Sequence, residues 1–324
     1  MNDSLPTPDL LVLGSGGVLG DVWMTGLLVG LDRGGQVDMG AAGAFVGTSA
    51  GSIVATRLAS GQDLEELIRT HVDVPGPTAR TVAPGELDTT SGILSGRIAD
   101  LLMFHGPAGR AARRLLLHRL PTGRQELTYL ARDMNELAPH WPERLNITAV
   151  NSRTGGRVVF RRGGTHGLSV SEAVQASCAI PTVFRPVEGA DGAFVDGGVW
   201  SPANLDAVPA DAGQTVVSLT PTGSDQGAFG VRRRSSARFF RSIVEGEVAR
   251  LRRRGVRVVN VVPDEAASAA IGPSRMASGR EKEVYEAGVA QGLELAGPLG
   301  AWLRRDPQPL TQPGGNAPAG ISPS

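Results

Sequence analysis

The chain has 324 residues, 41% of them apolar, and its 32 basic side chains balance 32 acidic ones, so the formal net charge is zero. That length supplies one large α/β domain with a substantial core, and the charge balance leaves no overall field that would favour nucleic acid. The single cysteine, Cys178, excludes an internal disulfide, points to a cytosolic protein, and is expected to be a small buried residue rather than a nucleophile.

The N-terminus carries Asp3 and Asp9 where a signal peptide has basic residues, and its apolar run stops in glycines, so no export signal is read. The longest uncharged runs, 39–56 and 307–324, are rich in Gly, Ser and Thr or in Pro and Gly, and neither reads as a membrane span. Residues 1–8 form a short tail. The run Leu10 to Leu13, then "GSGGVLG", then "DVWMTGLLVGL" predicts a strand, a glycine loop over Gly14 to Gly20, and a helix. A second strand, Ala44 to Val46, enters "GTSAGS" and a second helix, "SIVATRLAS", closed by Gly61. Asp63 then caps "LEELIRTHV". Two strand-turn-helix units this early predict a parallel sheet covered by helices.

Residues 74–141 are looser and read as a variable, lid-like insertion holding two short amphipathic helices, "GRIADLLMF" and "AARRLLLHRL". Order returns with "LNITAVNSRTGGRVVFRR", two strands around a hairpin turn at Thr154-Gly155-Gly156. Ser169 or Ser171 starts the helix "SEAVQAS". "QTVVSLTP" and "VRVVNVV" are further buried strands, separated by an arginine-rich helix at 232–254. A last helix is expected from Met276 to Arg305, with Val284, Gly288, Gly292, Leu295, Leu299 and Trp302 on one packing face. The main domain is therefore drawn at 9–305. Residues 306–324, "DPQPLTQPGGNAPAGISPS", have little to bury and are expected to be a disordered tail.

Chemistry is suggested first by Ser49. A serine hydroxyl is a weak nucleophile that needs a base, a fixed exposed position, and donors for the oxyanion that forms on attack. In a strand-to-helix turn, Gly47 and Gly51 permit the sharp bend of a nucleophile elbow, although Gly-x-Ser-x-Gly also arises by chance in a chain with 44 glycines. The amides of Gly16, Gly17 and Val18 can point into the same space above the sheet, or "GSGG" can be only a turn. For the base, the five histidines at 71, 105, 118, 140 and 166 lie in the loose region or near the hairpin and read as ordinary surface residues. Asp196, in "GAFVDGGVW", follows an apolar strand and precedes two glycines; desolvation there would raise its basicity, while a plain Asp-Gly turn is the alternative.

Four blocks in order resemble the patatin-like phospholipases, serine acyl hydrolases that use a Ser-Asp dyad: "GSGGVLG", "GTSAGS", "ASCAIPTVFRP" and "FVDGGVWSPAN". The resemblance runs from Leu10 to Leu219 and is weakest between Val74 and Trp141. It implies a three-layer α/β/α fold with a mostly parallel central sheet, Ser49 as nucleophile, Asp196 as base, and Gly16, Gly17 and Val18 as oxyanion donors. Asn204 falls at the family's matching asparagine. Ser15 stands where the family has the first of three glycines, and Leu19 where it has a basic residue. The implied activity is hydrolysis of acyl esters of lipids, phospholipase A or carboxylesterase in type, through an acyl-enzyme.

Two rivals remain at this level. Gly14, Gly16 and Gly20 fit a dinucleotide-binding loop, but the second strand ends in Gly47-Thr48-Ser49, without the acidic residue that holds ribose hydroxyls. A catalytically silent lipid-binding or regulatory module is opposed by the retention of both Ser49 and Asp196. No metal or cofactor is expected, since no His/Cys/Asp cluster has ligand spacing. The expected partner is a lipid or acyl ester, with peripheral membrane contact and no nucleic acid. The arginine-rich helix is expected to bury Phe240, Ile243, Val244, Val248 and Leu251 in the core, leaving "LLMF" at 101–104 beside "AARRLLLHRL" as the expected interfacial element, with Leu102 and Phe104 as its test positions.

Overall fold

A computed structural model of the chain describes residues 4–65, 106–164, 166–222 and 231–304. Leu102, Phe104, His71, His105, most of the helix expected after Asp63, and the tail 306–324 lie outside the described residues.

In chain order the elements are β1 (Leu10–Leu13), α1 (Gly17–Arg33), β2 (Ala44–Thr48), α2 (Ala50–Ala59), α3 (Gly106–Arg119), α4 (Thr128–Leu137), β3 (Leu145–Asn151), β4 (Gly156–Arg161) and α5 (Val170–Cys178). After them come β5 (Val187–Gly189), β6 (Gly192–Asp196), a 3-10 turn (Gly197–Val199), β7 (Thr215–Leu219), α6 (Val231–Arg253), β8 (Arg257–Val261), α7 (Glu265–Ile271) and α8 (Glu281–Arg304). The strands form one sheet in the order β5-β6-β3-β2-β1-β7-β8, with β4 also paired to β3. The run β3-β2-β1-β7-β8 is parallel, while β4 and β6 pair with β3, and β5 with β6, antiparallel.

Alternation along the parallel strands explains the three layers. Leu11 and Leu13 of β1 and Val217 and Leu219 of β7 face one core, shared with α1, α2, α5 and α8. Leu10, Val12 and Val216 face the other, which Val244, Val248 and Leu251 of α6 cover. With side chains alternating across a sheet buried on both faces, near-continuous apolar strands are what the fold requires.

One detail of register positions the site. Residues 146–151 of β3 pair with β4 on one edge. On the opposite edge β2 covers the first half of β3 and β6 the second, with Thr48 opposite Thr148 and Asp196 opposite Ala149. The two strands run in opposite directions along this shared edge and end one step apart. Residues far apart in sequence thus meet head to head where β2 and β6 stop.

Helices α1 and α8 lie against each other through glycines. A Cβ at Gly30 would overlap the carbonyl oxygen of Val289, and one at Gly292 the carbonyl oxygen of Leu27. Trp23 Nε1 donates to Gln291 Oε1 at 2.8 Å, and Gln291 Nε2 donates to the Val262 carbonyl at 2.8 Å, which ties both helices to the end of β8.

Three boundaries differ from the sequence reading. The glycine segment is a loop only to Gly16, because α1 starts at Gly17 and not near Asp21. β2 continues two residues past Val46 to Thr48, since its pairing with β3 holds that far. α8 starts at Glu281, not Met276, because residues 272–280 form turns across the start of α1, where the Arg275 carbonyl accepts from Leu19 N–H. Ser169 is the residue that opens α5, through a reciprocal capping box with Glu172.

Candidate active site

Ser49 lies between β2 and α2 with φ 53° and ψ −122°, in a region that non-glycine residues rarely adopt. The bend needs its flanking glycines: a Cβ at Gly51 would overlap the Leu13 carbonyl oxygen, and one at Gly47 the Ser52 Cα. The backbone is held on both sides. Ser49 N–H donates to Ser177 Oγ at 2.8 Å, and that hydroxyl donates onward to the Thr148 carbonyl at 2.7 Å. The Ser49 carbonyl accepts from Ser52 Oγ at 2.6 Å and from Ser52 N–H at 2.8 Å. Only the side chain is left free of these backbone clamps, and Ser49 is buried, at 8% exposure, and not in the exposed position expected of a nucleophile.

Its hydroxyl donates to Asp196 Oδ2 at 2.8 Å. The other carboxylate oxygen, Oδ1, accepts from Gly198 N–H at 2.7 Å, as the cap of the 3-10 turn. Burial pushes the Asp196 carboxyl up to about 6, against the opposing effect of the hydrogen bonds from Gly198 and Ser49. A carboxylate of that basicity is ionised at neutral pH and is still able to take a proton.

A buried polar brace ties both turns together. Asn204, itself at φ 56°, donates from Nδ2 to Thr48 Oγ1 at 3.2 Å, to the Gly197 carbonyl at 3.2 Å and to the Ser201 carbonyl at 2.7 Å. Thr48 Oγ1 in turn shares a 2.8 Å hydrogen bond with Thr148 Oγ1. Thr48, Thr148, Ser177, Ser201 and Asn204 are fully buried, so each of these bonds replaces water that cannot enter.

The glycine loop reaches this place by contact with both turns. Gly51, in the first turn of α2, packs against the carbonyls of Leu13 and Gly14, and Gly198 packs beside the Ser15 side chain. Ser15 N–H donates to the Pro202 carbonyl at 2.7 Å and Leu19 N–H to the Arg275 carbonyl at 2.9 Å. Between them, the amides of Gly16, Gly17 and Val18 have no acceptor among the described residues. They belong to the N-terminus of α1, where helix geometry leaves N–H groups without internal partners and favours negative charge.

Of the residues singled out in the sequence, Ser49 and Asp196 are joined directly, Gly47 and Gly51 form the bend at Ser49, and the Gly16–Val18 segment follows Gly14 and Ser15, which contact the two turns. The described histidines are elsewhere: His166 pairs with Asp191 at 2.9 Å and packs edge-on to Phe160 and Phe194, and His118 and His140 are exposed. Cys178 sits behind the elbow, with Sγ 3.9 Å from Ser52 Oγ; burial and then the Asp196 charge push its thiol pKa up, which suits an inert packing role.

Three residues went unnoticed in the sequence. Ser177 was visible only as part of "ASCAIP". The fully buried Arg113 of α3 stacks its guanidinium over Trp200 at 4.4 Å and donates to the Gly155 carbonyl at 2.7 Å, so the described end of the 74–141 segment is built into the domain behind Asp196. Glu247 of α6 is fully buried and accepts from Leu205 N–H at 3.1 Å; burial, then repulsion from Asp206, raises its pKa to about 7. It lies three residues after Val244 and four before Leu251, on the apolar stripe, and this spacing was the available signal.

Comparison with known proteins gives a family match over residues 11–209, to the model described as patatin-like phospholipase. An uncharacterized NTE family protein of Mycobacterium bovis is 29% identical over 158 residues, which are 44% of this chain and 26% of the relative. The chain thus spans about a quarter of that relative's length. Among solved structures, VipD from Legionella pneumophila aligns with a TM-score of 0.43 at 17% identity, over 90% of this chain and 67% of that one. Human GIVD cytosolic phospholipase A2, in complex with methyl gamma-linolenyl fluorophosphonate, aligns with a TM-score of 0.42 at 12% identity, over 93% and 58%.

Proposed function

The chain belongs to the patatin-like phospholipase family, and from that premise we propose that it hydrolyses acyl esters of lipids with Ser49 as nucleophile and Asp196 as its base. The observation that carries the reading is the 2.8 Å hydrogen bond from the Ser49 hydroxyl to Asp196 Oδ2. Ser49 Oγ attacks the ester carbonyl carbon while its proton passes to Asp196. The tetrahedral oxyanion is held by the amides of Gly16, Gly17 and Val18, whose loss one at a time costs about 100- to 1000-fold in comparable sites. The Ser49 amide is not among these donors, because it is already bound to Ser177. Collapse expels the alcohol, which takes the proton from Asp196, and leaves an acyl group on Ser49. Water then attacks the acyl carbonyl as Asp196 takes its proton, releasing the fatty acid and restoring the serine hydroxyl.

In this reading residues 9–305 form one hydrolase domain, with 74–141 as its variable, lid-like insertion. A positive charge at the position of Leu19 is not needed, since backbone amides and the end of α1 supply the field. Fluorophosphonate labelling tests the assignment. The wild-type protein should be labelled at Ser49, and Ser49→Ala should not be labelled. Equal labelling of both would remove Ser49 from the mechanism, and no labelling of either would favour a silent lipid-binding module.

A further inference from the structure

We infer that the outer stripe of α3, formed by Arg110, Arg114, Leu115 and Arg119, is a docking surface for the headgroups of an anionic phospholipid bilayer; the inference rests on the lipid-hydrolase reading and names the surface that presents its substrate. These four residues are all exposed, Leu115 at 53%, together with His118. On a helix, 110, 114 and 118 form one column and 115 and 119 lie about 100° further round, so together they make up the outward half of the helix.

That face is unusual in its charge. From Gly106 to Gln125 the chain has no acidic residue. Four other exposed arginines are neutralised, Arg132 by Glu136 at 3.1 Å, Arg153 by Glu188 at 3.1 Å, Arg185 by Glu126 at 3.0 Å, and Arg162 by Glu143, whereas exposed Arg124, just beyond the helix, and Arg161 are in no ion pair among the described residues. Arg110, Arg114 and Arg119 have no carboxylate within ion-pair distance among the described residues. An ordinary solvated helix face mixes signs, whereas a face of one sign with a leucine set into it suits a surface of the opposite sign with apolar chains beneath. Arginine stems can lie along such a boundary while their guanidinium groups meet phosphate oxygens.

Position agrees with this use. The inner face of α3 is anchored: Arg113 over Trp200, and Leu116 and Leu117 against Val150, Val195 and Val199. Gly155, in the turn after β3, packs against the backbone of Arg110 and Arg114. Thr148 is level with Thr48, and β3 continues to Asn151, about 10 Å further in the direction in which Ser49 leaves β2. The stripe therefore lies toward the end of the sheet at which Ser49 leaves β2, on a helix packed against the Val195 face of β6, opposite to the face of the Asp196 side chain.

Co-sedimentation with vesicles tests the surface, using Ser49→Ala protein so that no lipid is consumed. The parent should bind mixed phosphatidylcholine–phosphatidylglycerol vesicles more tightly than phosphatidylcholine alone, and less tightly as salt rises. Arg110→Gln with Arg114→Gln should lower partitioning onto the mixed vesicles about 30-fold, at about 1 kcal/mol for each arginine near an anionic surface. Leu115→Ser should weaken binding further. With Ser49 restored, the double arginine variant should hydrolyse a soluble short-chain ester at the parental rate while losing activity on the mixed vesicles. Equal partitioning of variant and parent, equal binding to both vesicle types, or no binding to either would overturn the inference. A parent that binds vesicles as expected but hydrolyses no ester would instead overturn the hydrolase reading alone.

Discussion

The turns that carry Ser49 and Asp196 hold their residues by opposite means. At Ser49 the backbone is forced into a rare conformation and clamped, its amide by Ser177 and its carbonyl by Ser52, while the side chain makes one hydrogen bond to the neighbouring turn. At Asp196 the backbone is ordinary, φ −45° and ψ 130°, and the side chain is the part held, by the Gly198 amide and the Ser49 hydroxyl. A nucleophile must be delivered to a fixed point, so strain and clamping suit it. A base must hold a proton for part of the cycle, so its electrostatic surroundings matter more than its backbone. The two turns share Thr148, whose carbonyl accepts from Ser177 and whose hydroxyl meets Thr48.

The contrast can be broken most sharply at Asp196, the proposed base. Asp196→Asn should lower the rate of ester hydrolysis about 1000- to 10,000-fold, since an amide cannot take the proton. The same variant should be more stable at pH 8. The unfolded carboxyl ionises near 3.8 and the folded one near 6, so the folded state binds more protons between these values and stability falls as pH rises through that window. Above it, the buried charge costs on the order of 3 kcal/mol, which the asparagine avoids. Hydrolysis assays with thermal unfolding at pH 8 check both parts, and a variant that is inactive because it is less stable would contradict the account.

At Ser49, the proposed nucleophile, the expected loss is smaller and comes through the backbone. Ser177→Ala frees the Ser49 amide and should reduce kcat about 100-fold with little change in KM, the effect of a misplaced reacting group. Ser177→Thr, which keeps the hydroxyl, should recover much of the rate, as should fluorophosphonate labelling. If Ser177→Ala is labelled as fast as the parent, the clamp is only structural.

The smallest effect on catalysis sharpens the comparison by pH. For the parent, kcat/KM should fall as pH drops through about 6, because the proposed mechanism uses the ionised form of Asp196 as its base. Glu247→Gln should leave that profile in place. It should nevertheless stabilise the fold at pH 8, because the buried Glu247 carboxyl ionises near 7 against 4.5 when unfolded, so its stability cost grows between those values and is absent below them. Unfolding at pH 4.5 and 8 separates the cases; a pH-rate midpoint that moves with Glu247→Gln would show that the two acids are coupled.

Much of this could be read from particular residues. Gly47 and Gly51 announced the elbow because only glycine fits beside Ser52 and Leu13, and the near-continuous apolar runs of β1, β7 and β8 announced a sheet buried on both faces. The head-to-head meeting of β2 and β6 was not legible, since it depends on how two strands divide one edge of β3. Ser177 escaped because a serine that accepts from a distant amide leaves no local pattern. The start of α1 at Gly17 was hidden by low helix propensity, which packing against α8 and the 272–280 turns overrides.

The glycine-to-backbone contact of α1 with α8 sets the minimum size of a working unit. The family match ends at residue 209, yet α1, whose N-terminus holds the proposed oxyanion amides of Gly16–Val18, rests along its length on residues from Val284 to Trp302. A fragment trimmed to the matched region would lay bare a strip of Gly26, Gly30 and Trp23 that no other described element covers so closely. Any miniaturised version would have to carry the final helix or replace it with one that keeps glycine opposite Trp23, Leu27 and Gly30.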